Sequence, residues 1–193
     1  MCIRDSAITI TPPGVIDIGA HVGVYACVLE DIVGSHNLYV FEPLPQLYRR
    51  LRWDFPRAHV FHTALSDRPG PQCLRVPVIG GKHVQSRATL NQHTEPAQTA
   101  TREITVPGDT LDAFAQRNRF GPVGFIKIDV EGHELEALCG AYETLQTNNF
   151  PPIIFESWTW KFQDKRNALF AYLKDLGYTI TELGQNNLAE YKR

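Results

Sequence analysis

Four carboxylate side chains stand at the ends of short apolar segments that are typical of buried strands. They are Asp17, Glu42, Asp129 and Glu156. Because ligands of open α/β sheets bind outside the carboxyl ends of the strands, we expect these acids to converge on one site. Acidic side chains at that edge favour a ligand that carries positive charge. The alternative for each acid taken singly is a solvated position at the end of a strand.

The turn after the first apolar segment contains Gly19 and Gly23, with Ala20 beside the first glycine. Glycines allow a tight turn and a close approach of the backbone to a ligand. A dinucleotide fingerprint requires Gly-x-Gly-x-x-Gly, but Asp17 occupies the first glycine position. A carboxylate repels a diphosphate and attracts an ammonium group, so the turn favours a nucleoside with a cationic tail, such as S-adenosylmethionine. An ordinary strand–turn–helix without a ligand is the alternative.

A second cluster of ionisable side chains follows a later apolar segment and contains Asp129, Glu131, His133 and Glu134. Their spacing matches no fixed metal-ligand motif, so we predict no metal. A general base for an acceptor hydroxyl is the functional interpretation, with Glu156 at the next strand end as a further candidate. For Glu131 and Glu134 the alternative is stabilisation of a helix N-terminus.

The elements that must position these groups alternate between strand and helix, which predicts a doubly wound, mostly parallel α/β sheet. The first helix has an apolar repeat at Val24, Val28 and Ile32 and ends at Gly34. Only residues 184–187 separate the last two strands. Because a parallel connection needs a longer crossover, we expect this last pair to form an antiparallel hairpin.

Two segments are candidates for the acceptor side of the site. Residues 80–100 show no convincing period, which predicts a long irregular loop, and Ser86 and Arg87 within it are candidate acceptor contacts. Residues 157–162 contain Trp158 and Trp160, and exposed aromatic rings stack on sugars and other rings. The equally good alternative is that both tryptophans pack over the end of the sheet.

Length, charge and cysteine content limit the class of protein. The chain has 193 residues, and we predict a leader at 1–13, disordered or non-native, before one domain at 14–193. The net charge of -2 argues against a strongly basic nucleic-acid-binding surface. Four cysteines without a Cys-x-x-Cys pair argue against zinc or a disulfide framework and favour the cytoplasm. No apolar run reaches the roughly 20 residues that a membrane span needs.

Six motifs resemble those of FkbM-type methyltransferases in their order and spacing. They are Asp-Ile-Gly-Ala-His-Val-Gly from residue 17, Val-Phe-Glu-Pro from 40, Ala-Leu-Ser-Asp from 64, Thr-Leu-Asp from 110, Lys-Ile-Asp-Val-Glu-Gly-His-Glu from 127 and Ile-Ile-Phe-Glu from 153. The fifth motif is the most specific, whereas the first alone indicates only a class I methyltransferase. The resemblance extends over residues 14–193.

The resemblance implies a seven-stranded sheet with a reversed last strand, S-adenosylmethionine as the methyl donor, and a hydroxyl of a sugar or other small molecule as the acceptor. We also expect the helices that precede the first strand in this family to be missing from the chain. The implied cofactor contacts are Asp17, Gly19, Ala20 and Gly23 along the methionine, Glu42 at the ribose, Ala64 and Leu65 at the adenine, and Asp129 near the transferred methyl group.

Two other classes of function stay open on the sequence alone. A nicotinamide-dependent oxidoreductase would use the same ribose-binding acid at Glu42, although Asp17 in the first fingerprint position argues against it. A nucleoside-binding domain without catalytic activity is the third possibility.

Overall fold

A computed structural model of the chain describes residues 13–92, 97–157 and 163–192. The strands in these ranges are β1 (Gly14–Ile18), β2 (Leu38–Phe41), β3 (His59–Phe61), β4 (Ala64–Leu65), β5 (Gln72–Ile79), β6 (Lys82–His83), β7 (Gln98–Val106), β8 (Gly108–Asp109), β9 (Val123–Ile128), β10 (Ile153–Glu156), β11 (Tyr178–Leu183) and β12 (Asn186–Tyr191). The helices are α1 (Val24–Val33), α2 (Pro45–Asp54), α3 (Leu111–Asn118), α4 (Glu134–Cys139), α5 (Tyr142–Thr147) and α6 (Gln163–Asp175).

The main sheet has seven strands in the order β11-β12-β10-β9-β1-β2-β3. Strand β1 pairs in parallel with β2 and β9, and β10 pairs in parallel with β9. Strand β12 runs antiparallel to both β10 and β11. The predicted fold class, a mostly parallel sheet that ends in an antiparallel hairpin, is therefore confirmed. Two residues join β11 to β12, which is too short for a parallel crossover.

Both faces of β1 are buried, as a continuous apolar segment at the centre of a parallel sheet requires. Ile16 and Ile18 belong to a core cluster that also contains residues of α4, α5 and α6. Val15 belongs to a second cluster, which contains residues of α1 and α2. The helices thus cover the sheet from two sides, and the carboxyl ends of the strands are left for the site.

Helix α1 ends at Gly34 as predicted, but only part of its predicted apolar pattern is buried. That pattern has Tyr25, Leu29 and Val33 beside the repeat at Val24, Val28 and Ile32. Leu29 is buried together with Ala26, whereas Val24, Val28 and Ile32 are 68%, 56% and 71% exposed. Packing selects the side that carries Ala26 and Leu29, which lie in the cluster that contains Val15 and Val40.

What we call the arm lies outside the main sheet. It consists of β5, β6, β7 and residues 84–92, which follow β6, and β5 pairs antiparallel with both of the other strands. A short 3₁₀ turn at Ser86 and its neighbours follows β6. The predicted irregular loop at residues 80–100 is therefore wrong where β6, the 3₁₀ turn and the start of β7 replace it. The long-range pairing of β7 with β5 supplies the order that its polar sequence does not indicate.

Two stretches that the sequence pattern predicts as single elements are divided in the structure. Residues 59–65, a short apolar run that predicts one strand, form β3 in the main sheet and β4, which pairs with β8 in a small separate sheet. The apolar period at Leu135, Leu138, Tyr142 and Leu145 predicts one helix, which the structure divides into α4 and α5 at Gly140. A side chain at Gly140 would lie 2.0 Å from the carbonyl oxygen of Ser66, so this glycine allows the helices to approach the end of β4.

Some sequence predictions fall on parts of the chain that are not described. Trp158 and Trp160 lie outside the described residues, as does nearly all of the predicted leader at 1–13. Their roles and the proposed domain boundary stay predictions. Among the helices of the described ranges, none combines the length and apolar character that crossing a membrane requires.

Candidate functional site

Gly19 brings the turn after β1 directly onto the end of β9. Its φ is +76°, and an added Cβ atom would lie 2.0 Å from the carbonyl oxygen of Asp129. Gly23 has a different role, because its added Cβ would lie 2.8 Å from Leu51 and Phe55 of the α2 region. Only the first of the two glycines therefore shapes the edge of the sheet where a ligand could bind.

A cavity of about 360 Å³ lies at the carboxyl edge of the main sheet, beneath the arm. Its size is within the range of small-molecule sites. Glu42, Asp129 and Glu156, at the ends of three different strands, all line it, and Glu131 lines it as well. Three of the four strand-end acids therefore meet at one cavity.

Glu42 is held rigidly at the end of β2. The main-chain N–H groups of His21 and Leu44 donate hydrogen bonds of 2.8 and 2.7 Å to its two carboxylate oxygens. Burial raises the pKa of Glu42 to about 7, and these two hydrogen bonds oppose that rise. His21 adopts φ +52°, a left-handed conformation that is uncommon outside glycine, and this conformation directs its N–H group at Glu42. Each carboxylate oxygen keeps a lone pair for a ligand hydroxyl.

Asp129 and Glu156 form a neighbouring pair of carboxyl groups that both line the cavity. Asp129 directly follows β9 and Glu156 ends β10, and the parallel pairing of Ile128 with Phe155 sets their positions side by side. Burial raises the pKa of Glu156 to about 7, and the charge of Asp129 and a hydrogen bond to it add to the rise. The hydrogen bond and the nearby negative charge therefore favour the protonated form of Glu156.

The turn between β9 and α4 is fixed by a buried glutamate. Glu134 accepts hydrogen bonds of 3.2 and 3.1 Å from the main-chain N–H groups of Val130 and Gly132. Burial raises the pKa of Glu134 to about 7. The intervening Glu131 has φ +54° and lines the cavity. Glu134 therefore shapes the turn, and Glu131 faces the site.

Asp17 is fully buried and paired with a lysine of the neighbouring strand. The register of β1 and β9 sets Asp17 opposite Lys127, whose Nζ lies 2.9 Å from the Asp17 carboxylate. The same ammonium group donates a 2.9 Å hydrogen bond to the carbonyl oxygen of Gly19. Burial raises the pKa of Asp17, and the positive charge of Lys127 opposes that rise. Asp17 thus stabilises the turn after β1 through Lys127, and it does not line the cavity.

His133 lines the cavity and is tied to the end of β4. Its Nε2 atom lies 2.9 Å from the Ser66 hydroxyl, and its Nδ1 atom lies 3.6 Å from a Glu136 carboxylate oxygen. Burial lowers the pKa of His133, so the neutral imidazole dominates at neutral pH. Ser66 follows Leu65 directly, which sets the imidazole beside the β4 side of the cavity.

The rest of the cavity wall is largely apolar. Leu44, Ala64 and Leu65, which lie outside the arm, line the cavity together with Leu74 and Leu90 of the arm. The cavity therefore combines an apolar part with the acidic group formed by Asp129, Glu131 and Glu156. Glu42 and Leu44 are two residues apart and both line the cavity, so this carboxylate lies close to the apolar part of the wall.

The structure brings most of the predicted site residues to the cavity. Gly19, Glu42, Ala64, Leu65, Asp129, Glu131, His133 and Glu156 line it, whereas Asp17, Ala20 and Gly23 do not. Ser86 and Arg87 of the predicted segment 80–100 line the cavity as well. The sequence interpretation missed Leu74, and it missed His21 as the donor to Glu42. His21 lies inside the glycine turn, which was a usable signal, whereas Leu74 has no local signal because the arm brings it to the cavity from outside the main sheet.

No group of three or more histidine, cysteine or acidic side chains is placed to hold a metal ion in the described ranges.

Comparison by sequence and comparison by structure both match this chain to methyltransferases. The family model described as "Methyltransferase FkbM domain" matches residues 17–180. The hexuronic acid methyltransferase AglP of Haloferax volcanii is 27% identical over 140 residues, which are 69% of this chain and 52% of that protein. The chain thus spans about half the length of this curated relative.

Two solved structures share the fold. The FkbM methyltransferase of Methylobacillus flagellatus KT matches with a TM-score of 0.62 and 16% identity, over 94% of this chain and 44% of that one. The precorrin-6y C5,15-methyltransferase of Geobacter metallireducens GS-15 matches with a TM-score of 0.50 and 12% identity, over 95% and 83% of the two chains. At these identities the likeness extends to the fold alone.

Proposed function

The chain belongs to the FkbM methyltransferase family, and from this premise we propose that it transfers a methyl group from S-adenosylmethionine to a hydroxyl oxygen of a sugar or related small molecule. One observation carries the proposal. A single cavity is lined by apolar residues, by the carboxylate of Glu42 and by the acids Asp129 and Glu156. S-adenosylmethionine has a flat base, a ribose and a cationic tail, and these are the three kinds of group that such a lining suits.

The residues of the cavity fit this cofactor. Glu42 offers two fixed carboxylate oxygens to the two ribose hydroxyls. Ala64 and Leu65 supply apolar surface for the adenine, and Gly19, which also lines the cavity, presents main chain to the methionine part. The ammonium and sulfonium groups are attracted by Asp129 and Glu131. Bound there, the cofactor supplies an activated methyl group on its sulfonium.

Asp17 serves this site indirectly in the proposal. Because its carboxylate is paired with Lys127, it does not offer a free negative charge to the cofactor. Lys127 in turn holds the carbonyl oxygen of Gly19, so the ion pair fixes the turn along which the methionine part lies. Ala20, which packs in the core, and Gly23, which packs against Leu51, support the same turn.

We assign proton removal from the acceptor to the Asp129–Glu156 pair. With the cofactor bound, its methyl group would pass to the acceptor oxygen with S-adenosylhomocysteine as the leaving product, and a carboxylate oxygen of the pair would take up the hydroxyl proton. The pKa of Glu156 at about 7 suits a base that works at neutral pH. General-base catalysis contributes about 10²–10⁴-fold, and alignment of donor and acceptor supplies most of the remainder.

Glu131 and His133 receive supporting roles. Glu131 lines the acidic part of the cavity, and its charge helps to keep Glu156 protonated until a cationic ligand enters. The Nε2 atom of His133 already has a partner in Ser66, which makes the imidazole a less suitable base than the carboxyl pair. We propose that His133 positions the end of β4 against the cofactor.

A uronic acid is the first acceptor to examine, because the related AglP protein is named as a hexuronic acid methyltransferase. Arg87 lines the cavity and supplies a guanidinium group, which is the side chain best suited to a carboxylate. A neutral sugar of the same size is the matched comparison. Faster release of S-adenosylhomocysteine with the uronic acid would support this acceptor class.

Calorimetric titration tests the cofactor assignment directly. The protein is titrated with S-adenosylmethionine, S-adenosylhomocysteine and NAD. We expect micromolar binding of the first two ligands and no heat with NAD. Binding of NAD alone would instead support the oxidoreductase interpretation, and absence of binding by all three would contradict the proposed function. Binding of S-adenosylhomocysteine without methyl transfer to any hydroxylated acceptor would favour the non-catalytic alternative.

A further inference from the structure

The arm is fastened across the cavity at two points. The hydroxyl of Thr89 donates a 2.7 Å hydrogen bond to the carbonyl oxygen of Glu131, in the turn after β9. The side-chain amide of Gln85 donates a 2.8 Å hydrogen bond to Gln46 of α2. The segment 85–90 therefore spans from α2 to the β9–α4 turn. This arrangement holds its side chains over the carboxyl edge of the main sheet.

The same segment is joined to the body of the arm. Thr89 and Arg75 exchange main-chain hydrogen bonds of 2.8 and 3.0 Å, which add the segment to the edge of β5. Leu74, the neighbour of Arg75, is 3% exposed. The position of Leu74 is thus fixed by the arm and by the two attachment points together.

The side of the arm that faces the cavity has an apolar part next to the polar residues Gln85, Ser86 and Arg87. Leu74, Ala88 and Leu90 line the cavity, and all three contact the cluster that contains Leu44 and Ala64. This part of the wall contains no carboxylate. A neutral aromatic base fits such a surface, whereas the cationic part of the cofactor is better satisfied at the acidic part.

We infer that the arm forms the second wall of the adenine subsite, so that the base is held between Leu74 and Leu90 on one side and Ala64 and Leu65 on the other. The inference rests on the proposed function. It changes the role expected for residues 80–100 from contact with the acceptor to contact with the cofactor. The arm then determines cofactor affinity although it belongs to neither the main sheet nor its helices.

The test uses two ligands that share adenosine but differ in the amino-acid tail. S-adenosylhomocysteine and 5′-methylthioadenosine are titrated into the wild type, Leu74→Ala and Leu47→Ala. Leu47 is the matched control because it is 7% exposed, belongs to the same cluster as Leu74 and does not line the cavity. We expect Leu74→Ala to weaken both ligands by about 5- to 20-fold, and Leu47→Ala by less than about twofold.

The comparison of variants and ligands separates the possible failures. If the wild type binds neither ligand, the proposed function fails and the inference fails with it. If the wild type binds both and the two leucine variants behave alike, only the inference is overturned. If Leu74→Ala weakens S-adenosylhomocysteine but not 5′-methylthioadenosine, the arm contacts the tail and the adenine assignment is wrong.

Hydrogen exchange provides a second measurement on the unaltered protein. The main-chain amides of residues 86–90 are followed with and without S-adenosylhomocysteine. We expect slower exchange at these amides in the complex, because the bound base would restrain the arm. Protection of the β1–α1 turn without any change at 86–90 would contradict the inference. Thermal melts of both leucine variants establish that they are folded at the titration temperature.

Discussion

Glu42 and Glu156 are the same residue at equivalent places, the ends of two parallel strands, and their surroundings give them different properties. Burial raises the pKa of each to about 7. Around Glu42 the next influences are two main-chain hydrogen bonds, which favour the ionised form. Around Glu156 the next influences are the neighbouring acids, chiefly Asp129, which favour the protonated form.

The pKa of an acidic side chain therefore does not by itself indicate its role. Glu42 is 4% exposed and both of its oxygens have fixed donors, so it can hold a ligand but has little freedom to move. Glu156 is only partly buried, and its hydrogen bond to Asp129 favours its protonated form. In the proposed function, Glu42 therefore binds the ligand and Glu156 exchanges a proton.

The largest effect is expected when the proton-exchanging side is neutralised. Glu156→Gln preserves the shape of the side chain but removes the proton acceptor. We expect kcat to fall by about 10²–10⁴-fold while the affinity for S-adenosylhomocysteine changes by less than about threefold. Single-turnover methyl transfer and calorimetry measure the two quantities. A parallel loss of affinity and rate would show that Glu156 binds the cofactor as Glu42 does.

Gly19→Ala tests whether the two sides depend on the same turn. The added methyl group would lie 2.0 Å from the carbonyl oxygen of Asp129, so the turn after β1 must move away from β9. We expect a loss of at least about 3 kcal/mol in unfolding free energy, together with loss of cofactor binding.

The matched control for that variant is Gly34→Ala. Gly34 has a similar φ of +78°, but no atom lies within 4 Å of its added Cβ. Its loss should be limited to the backbone strain, about 1–2 kcal/mol, without a change in ligand affinity. Equal destabilisation in urea unfolding would mean that the contact with Asp129 is unimportant.

Glu42→Ala removes the binding side. Two hydrogen bonds from ribose hydroxyls to a carboxylate are lost, which corresponds to about 2–3 kcal/mol or about 30- to 150-fold in Kd for S-adenosylhomocysteine. Glu190→Ala, at an exposed position on β12, controls for the loss of one negative charge. An unchanged Kd in Glu42→Ala would remove the ribose assignment.

The smallest expected effect is a pH dependence of the affinity for S-adenosylhomocysteine, which we assign to Glu42. Ribose hydroxyls donate to the ionised form, so the bound pKa lies below the free value of about 7. Below pH 7 a proton must leave before the ligand binds, and affinity should therefore be about tenfold weaker at pH 6 than at pH 8.

S-adenosylhomocysteine is the suitable probe for this dependence because its sulfur is uncharged and responds less to the Asp129–Glu156 pair. Glu42→Gln should abolish the dependence, and Glu156→Gln should retain it. The opposite outcome would reverse the comparison between the two sides of the cavity.

The amino-acid sequence by itself determined the main sheet and the residue types along its edge. Apolar segments, glycine turns and helical periods are local properties, and the short link at residues 184–187 required an antiparallel last pair. The strand-end positions of Glu42, Asp129 and Glu156 follow from the same local patterns. These features are predictable because each depends on neighbours in the chain.

Tertiary structure decided which of these groups face the cavity. The sequence alone makes Asp17 a candidate for contact with the ligand, but the register of β1 with β9 pairs it with Lys127. The buried side of α1 and the pairing of β7 with β5 were likewise settled by contacts between distant segments. A helical repeat is compatible with more than one buried side, and a polar strand sequence is compatible with more than one pairing partner. Only the packed chain selects one of them, since burial and pairing depend on residues far away in sequence.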